Sequence, residues 1–457
     1  MRVRPTSLAA LAAVAALTAC TTSVAGVATP AGGLRMDATD ADLVVELAEE
    51  GNETDRIARN AAADVLDYWE QTFPEVYGGE FGELEGGFWS IDPDETDGDD
   101  LPSSPCFDDD VDELAENAFY CGSDDRIVYD RAWLADLAED YGPFMIAEVM
   151  AHEMGHAVQE HAEVYDSSIV AETQAECFAG GWTRWVVEGN SRHFAVRPAE
   201  LDGYLLSYLY FGDPAGSDPD DPSAHGSLFD QLSAFQEGYA DGPQACAAFD
   251  DERVYTLEPF DREEEGTQGD LPYGRAVRSA ASLLSAFWDQ ALGKGFADTP
   301  ALGRVVQLPE VVEGEPSGSA CTGGGPEVDV EYCADGSVRF DAPGLLQPAH
   351  DEVGDYAVVA LLGLPYATAV RAQLGLPADG VGAVDAVVCT TGWMARELFR
   401  GDVAGGGASI SPGDVDEAAV ALLRYGEGDN VLPASDSSGF ELVDAFRQGF
   451  LGGTCGL

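Results

Sequence analysis

His152-Glu153-Met154-Gly155-His156 is the stretch on which the reading of this chain turns. Apolar residues at Met145, Val149 and Val158 recur at helical spacing, so 147–161 is expected to be a helix. Side chains four apart on a helix lie one above the other, so His152 and His156 face the same way. Two imidazoles binding one metal ion need that arrangement, and Glu153 lies beside it, where a carboxylate can take a proton from water. His-Glu-x-x-His on a helix is a zinc signature, and a chain with six histidines seldom produces it by accident.

A catalytic zinc takes three protein ligands and keeps one position open. The candidate source of the third is Glu172-Thr173-Gln174-Ala175-Glu176-Cys177. On a helix Glu172 and Glu176 share a face, so that one can bind metal while the other orients a histidine. His161 competes as a nitrogen ligand, but it lies about 140° around the helix from the His152/His156 face. It is expected at a solvent-facing helix end.

The N-terminus reads as an export signal. Arg2 and Arg4 precede a short apolar run, too short to span a bilayer, that ends in Leu17-Thr18-Ala19-Cys20. That ending resembles the lipobox of bacterial lipoproteins, which implies cleavage before Cys20 and lipid on its thiol. Residues 1–19 are then the signal peptide and 20–49 a lipidated linker on the outer face of the cell membrane. Cleavage after Ala19 without lipid would instead give a secreted protein. No later apolar run reads as long and continuous enough for a membrane helix.

Acidic residues number 84 against 22 basic ones, for a formal charge of −62, and Lys294 is the sole lysine. Phosphate backbones would be repelled, so nucleic acid is not an expected partner. A highly solvated acidic surface, as in exported or salt-adapted proteins, accounts for most of this charge.

The chain is also written twice. Arg56-x-x-Arg59-x-Ala61-Ala62 with Tyr68-Trp69 recurs as Arg275-x-x-Arg278-x-Ala280-Ala281 with Phe287-Trp288. Tyr120-Cys121 recurs as Tyr332-Cys333, and Cys177 as Cys389, each of the latter followed by Gly-Trp. Pro198-x-x-x-Asp202 matches Pro412-x-x-x-Asp416, and Ala234-Phe235-x-x-Gly238 matches Ala445-Phe446-x-x-Gly449. Two homologous domains, 50–250 and 270–457, are expected around an acidic linker at 251–269. With Cys20 set aside, eight cysteines remain, and pairing that respects the repeat selects Cys106–Cys121 with Cys321–Cys333, and Cys177–Cys246 with Cys389–Cys455. An even set in an exported chain reads as disulfides, the two long loops each contributing about 4 kcal/mol on the entropic model.

Within each domain the order reads as helix, acidic loop, short strand, then several helices. Helix is expected at 56–71, 170–188 and 226–239, loop at 92–112 and 213–223, and a strand at Arg126–Asp130. That strand is a candidate for pairing with an extended substrate backbone.

Phe119-Tyr120-Cys121, then Ala151 through Gln159 around the two histidines, then Glu172-x-Gln174-Ala175-Glu176-Cys177-x-Ala179-Gly180 form an ordered set. With His225-Gly226-Ser227 and Ala234-Phe235-x-x-Gly238, it resembles the neutral zinc metallopeptidase family of bacteria, over about residues 55–250. The resemblance implies a gluzincin-like site: one Zn2+ held by His152, His156 and Glu172, with Glu153 as general base. The family has Asp where this chain has Glu176, which implies a supporting carboxylate on a longer arm and leaves open which glutamate binds metal.

At the offset of the repeat, His152, Glu153 and His156 fall on Leu364, Pro365 and Thr368, and Glu172 and Glu176 on Val384 and Val388. The second domain is therefore expected to hold no zinc. His225 has no histidine counterpart in the second domain, which makes it a candidate donor to a developing oxyanion, a surface loop position being the other reading. The expectation is an α+β, predominantly α-helical, zincin-like domain with a short strand, duplicated in tandem. Its expected function is zinc-dependent hydrolysis of protein or peptide substrates, with a scaffold lipoprotein as the alternative.

Overall fold

A computed structural model describes residues 33–457 apart from 97, 99–100, 102–103, 107–110, 315, 317–320, 322–328, 379–380, 405–409, 427–430, 433–436 and 454. Residues 1–19, read as an export signal, and Cys20 lie outside the described residues, as does part of 92–112. The fold is α+β and predominantly helical.

Val45–Glu46 (β1) leads into Glu53–Val76 (α1), whose Asn52 side chain caps the helix by accepting from the Asp55 amide. Ile57, Ala61, Val65, Tyr68 and Trp69 form its buried stripe. Gly87–Ile91 (β2), Ala118–Cys121 (β3) and Arg126–Asp130 (β4) complete a sheet of order β1-β2-β4-β3. β1, β2 and β4 run parallel, and β3 runs antiparallel to β4. Val128 pairs with Trp89 on one side and Phe119 on the other, so β4 has no open edge. This corrects the expectation that β4 could take up a substrate strand; the edge is β3.

Asp130 ends β4 and caps Arg131–Tyr141 (α2), accepting from the Ala132 and Trp133 amides. Gly142 and Pro143 then turn the chain into Phe144–His161 (α3), which starts three residues before the predicted helix. Ser168–Val187 (α4) follows, then the single turns Asp202–Leu205 (α5) and Tyr208–Phe211 (α6). Leu228–Asp241 (α7) and Pro243–Cys246 (α8) end the first half. α3 is buried on nearly every side because it packs on α1, α2, β3 and α4. Gly155 makes the crossing with α4 close: a methyl there would stand 2.8 Å from the Ala175 Cα.

The second half has a similar order of elements, with a sheet of three strands where the first has four. Tyr273–Gly293 (α9) precedes Glu310–Glu313 (β5), Val330–Tyr332 (β6) and Ser337–Phe340 (β7), in a sheet of order β5-β7-β6 with β5 parallel and β6 antiparallel to β7. Gln347–Glu352 (α10), Asp355–Leu374 (α11), Val381–Phe399 (α12), Asp414–Tyr425 (α13) and Gly439–Gly452 (α14) follow. α9 packs on α11, α11 on α12 and α12 on α14, as α1 does on α3, α3 on α4 and α4 on α7. The four disulfides are Cys106–Cys121, Cys177–Cys246, Cys321–Cys333 and Cys389–Cys455, the pairs that the repeat selected. Disulfides of this number mark an exported chain.

The halves hold each other reciprocally. Asp202 accepts from the Gly439 and Phe440 amides at the start of α14, at 3.2 and 2.6 Å. Asp416 accepts from the Ser227 hydroxyl and the Phe229 amide at the start of α7, both at 2.8 Å. Phe229 packs on Phe446 and Phe450, and Phe235 and Tyr239 pack on Phe440. α11 is long and apolar enough to cross a membrane, contrary to the expectation from the sequence, yet 78% of its most apolar window is buried inside the protein. It is a core helix here.

Candidate metal centre

α3 and α4 cross with His152, His156 and Glu172 facing one another. The Nε2 atoms of His152 and His156 lie 3.3 and 3.4 Å from the same oxygen, Oε2 of Glu172. Ligands about 2.0–2.2 Å from a tetrahedral zinc stand about 3.3–3.6 Å apart, so these donors fit one ion of that kind. The other ring nitrogens are already engaged. His152 Nδ1 is 2.9 Å from Glu176 Oε2, and His156 Nδ1 is 2.9 Å from Gln159 Oε1. A proton on each Nδ1 satisfies those acceptors and leaves both Nε2 lone pairs for a metal.

Each supporting group is itself held. Gln159 donates to the Ala171 carbonyl and to Gln174, whose own amide donates to the Cys246 carbonyl. Glu176 Oε1 accepts from the hydroxyls of Tyr204 and Tyr208, both buried. The geometry thus puts Glu172 among the donors and Glu176 behind His152. Glu153, 7% exposed, accepts through Oε2 from the Tyr120 amide of edge strand β3 at 2.9 Å.

Burial disfavours the charged form of His152, but hydrogen bonds to Glu172 and Glu176 outweigh it and hold its pKa well above the ordinary histidine value. Burial likewise opposes ionisation of Glu172, and the two histidines, His156 foremost, hold it well below the carboxylate range. These protons are the ones a divalent cation would displace. Burial raises the pKa of Glu153, partly offset by His152 and His156. That moves a candidate base toward neutrality.

The site opens on a cleft of about 710 Å³ lined by β3, α3, α4 and the short helices α5 and α6. His225 lines the same cleft, half-exposed, with Nδ1 3.8 Å from the Asp213 carboxylate that also accepts the His225 and Gly226 amides. His161 is not at a solvent-facing end as expected. It is half-buried, pairs with Asp125 at 2.9 Å and packs on Phe81. At the offset positions of the second half, Leu364, Val384 and Val388 are buried, Pro365 lies within α11, and half-buried Thr368 donates to the Leu364 carbonyl.

Several site residues had no role in the sequence reading. Glu148, one turn before His152, is buried in the cleft wall and accepts from Thr183 at 2.6 Å. Its four-residue spacing from His152 was the available signal, as was the Tyr204/Tyr208 pair at the same spacing.

No protein-family model and no solved structure matches the chain. Two curated relatives, both called uncharacterized protein YpfJ, come from Escherichia coli K12 and from Escherichia coli O6:H1 strain CFT073. Each is 27% identical over 157 residues, covering 29% of this chain and 53% of the relative. The chain spans about half the length of the curated relatives it matches.

Proposed function

We propose that this chain is a zinc-dependent peptidase of the neutral zinc metallopeptidase family, lipid-anchored through Cys20 at the outer face of the cell membrane, and that its second half is a degenerate copy without zinc. One observation carries the reading: both Nε2 atoms of the His-Glu-x-x-His motif meet one Glu172 oxygen, within reach of an open cleft and an edge strand. His152, His156 and Glu172 would hold the ion, which when bound supplies Lewis acidity that acidifies water and polarises a carbonyl.

The protein's own groups do the rest. Glu153 takes the proton of the attacking water and returns it to the leaving amine, oriented by the Tyr120 amide. β3 has β4 on one side and the cleft on the other, so an extended peptide can add to it as a further strand. His225 lines the same cleft and in this reading would donate to the oxyanion. Glu116, Glu160 and Asp166 line the cleft with no Lys or Arg among the described lining residues, which favours peptides carrying basic side chains.

The test is metal content and peptide-library cleavage for the wild type and Glu153→Gln. A peptidase holds about one zinc in both proteins and cleaves only as the wild type. Zinc in both with cleavage by neither would favour the scaffold reading, and absence of zinc would end the proposal.

A further inference from the structure

The second half gathers acidic groups at one point of its own. Asp270 follows the linker, Asp355 opens α11, and Glu417 lies in the first turn of α13. One carboxylate oxygen from each lies within 4.8 Å of the others. None of the three has an ion pair to Lys or Arg among the described residues, and buried Asp414 adds a fourth acidic group within electrostatic reach of Asp355 and Asp270.

Acidic clusters alone are common on such a chain, but here two polar atoms are sealed in without partners. Asp355 is 8% exposed, and its Oδ1 has neither solvent nor a hydrogen bond. The adjoining Tyr356 hydroxyl, on a side chain 2% exposed, is in the same state, with Asp414, Asp355 and Glu417 as its charged neighbours. Native proteins rarely leave such atoms unsatisfied unless an ion, a proton or an ordered water meets them.

We propose that Asp270, Asp355 and Glu417 bind a calcium ion that fastens the linker to the second half. All the donors are hard oxygens, which suit Ca2+ or Mg2+ and give no preference for zinc. Mg2+ demands a near-ideal octahedron, keeps several waters and takes one or two carboxylates, whereas Ca2+ accepts an irregular set, so three acidic side chains from three separate segments favour calcium. The site also has mechanical sense. α13 carries Glu417 and, one residue before it, Asp416, which caps α7 of the first half. An ion holding the start of α13 to the linker therefore steadies the contact between halves. This inference is independent of the zinc reading.

The experiment is calorimetric titration of the full exported chain, stripped with EDTA, with Ca2+ at physiological salt. The wild type and Glu172→Gln are expected to show one saturable site, with a Kd of about 10⁻⁴ M or tighter. Asp355→Asn is expected to lose it, and Asp270→Asn to weaken it about tenfold or more. Thermal melts separate binding from damage: Ca2+ raises the melting temperature of the wild type but not of Asp355→Asn. Without Ca2+ that variant melts no lower than the wild type, because it has shed a repelling charge. If Asp355→Asn does not fold, Asp270→Asn, on the exposed linker, decides. Equal Ca2+ uptake by wild type and variants, no saturable binding, or equal affinity for Mg2+ would each overturn the assignment.

Discussion

Replacing Glu176 by Ala should weaken zinc binding by about tenfold to a hundredfold, whereas Glu172→Gln should remove stoichiometric zinc altogether. The range is that of carboxylates supporting a histidine ligand, about 1.4–2.8 kcal/mol. Three contacts set the scale: His152 Nδ1 at 2.9 Å, the Tyr204 hydroxyl at 2.8 Å and the Tyr208 hydroxyl. With the carboxylate gone, the two tyrosines have only each other, 2.8 Å apart, and one buried hydroxyl proton lacks an acceptor. That adds a stability loss of about 1–3 kcal/mol besides the cavity. Glu176→Gln should be milder. Its amide oxygen can face His152 while its NH2 group donates to the tyrosine hydroxyls, so the cavity is avoided although one hydroxyl proton still lacks an acceptor, and binding falls about tenfold. Zinc titration against a competing chelator, with urea unfolding alongside, measures both effects. Zinc bound by Glu176→Ala as tightly as by the wild type would refute the argument. Loss of zinc from Glu176→Gln but not from Glu172→Gln would exchange the two roles.

Gly155→Ala places a methyl 2.8 Å from the Ala175 Cα and 3.0 Å from its carbonyl oxygen, so α3 and α4 must part. Overpacking of about 1–3 kcal/mol, less about 1 kcal/mol of helix propensity, predicts a net loss in urea unfolding together with weaker zinc binding. A variant more stable than the wild type would contradict the close crossing. Asp416 has its pKa pushed up to about 7 by burial, the Phe229 amide and Ser227 hydroxyl pulling the other way and Asp230 adding to the rise. The unfolded value is about 3.9, so this group's contribution is full below about pH 4 and is lost as pH rises through about 7. Asp416→Asn keeps an acceptor for Ser227 and Phe229 and should flatten the fall in melting temperature between about pH 4 and 7 in metal-free buffer; an unchanged slope would count against it.

Local pattern carried the reading furthest where function sits on one helix. The spacing of His152 and His156, the carboxylate pair on α4 and the four cysteine pairs all follow from period and repeat, and the structure brings these residues together. What failed was non-local. Nothing in Arg126–Asp130 tells whether it is an edge, because strand order depends on Gly87–Ile91, which the sequence reading did not single out, and on the hairpin from Ala118–Cys121. His161 was placed in solvent by helical phase alone, while its partners Asp125 and Phe81 lie 36 and 80 positions away in the chain. The tyrosines behind Glu176 sit on single-turn helices too short to have a period of their own.

A half without counterparts of His152, His156 and Glu172 still bears on the candidate metal site. α14 and α13 grip α7 through Phe446, Phe450 and Asp416, and α7 lies so close to α4 that Gly238 meets the Cys177 carbonyl with no room for a side chain. α4 carries Glu172 and Glu176. The same backbone approach recurs where Gly449 meets the Cys389 carbonyl, so the helix pair that positions carboxylates in one half is kept in the other without them. Buried imidazoles and carboxylates subtract from stability unless every partner is in place. Leu364, Val384 and Val388 carry no such demand and are packed into the core. At these positions the second half is the more hydrophobic brace, and the reciprocal caps of Asp202 and Asp416 tie it to the first half, where α7 packs on the helix that carries Glu172.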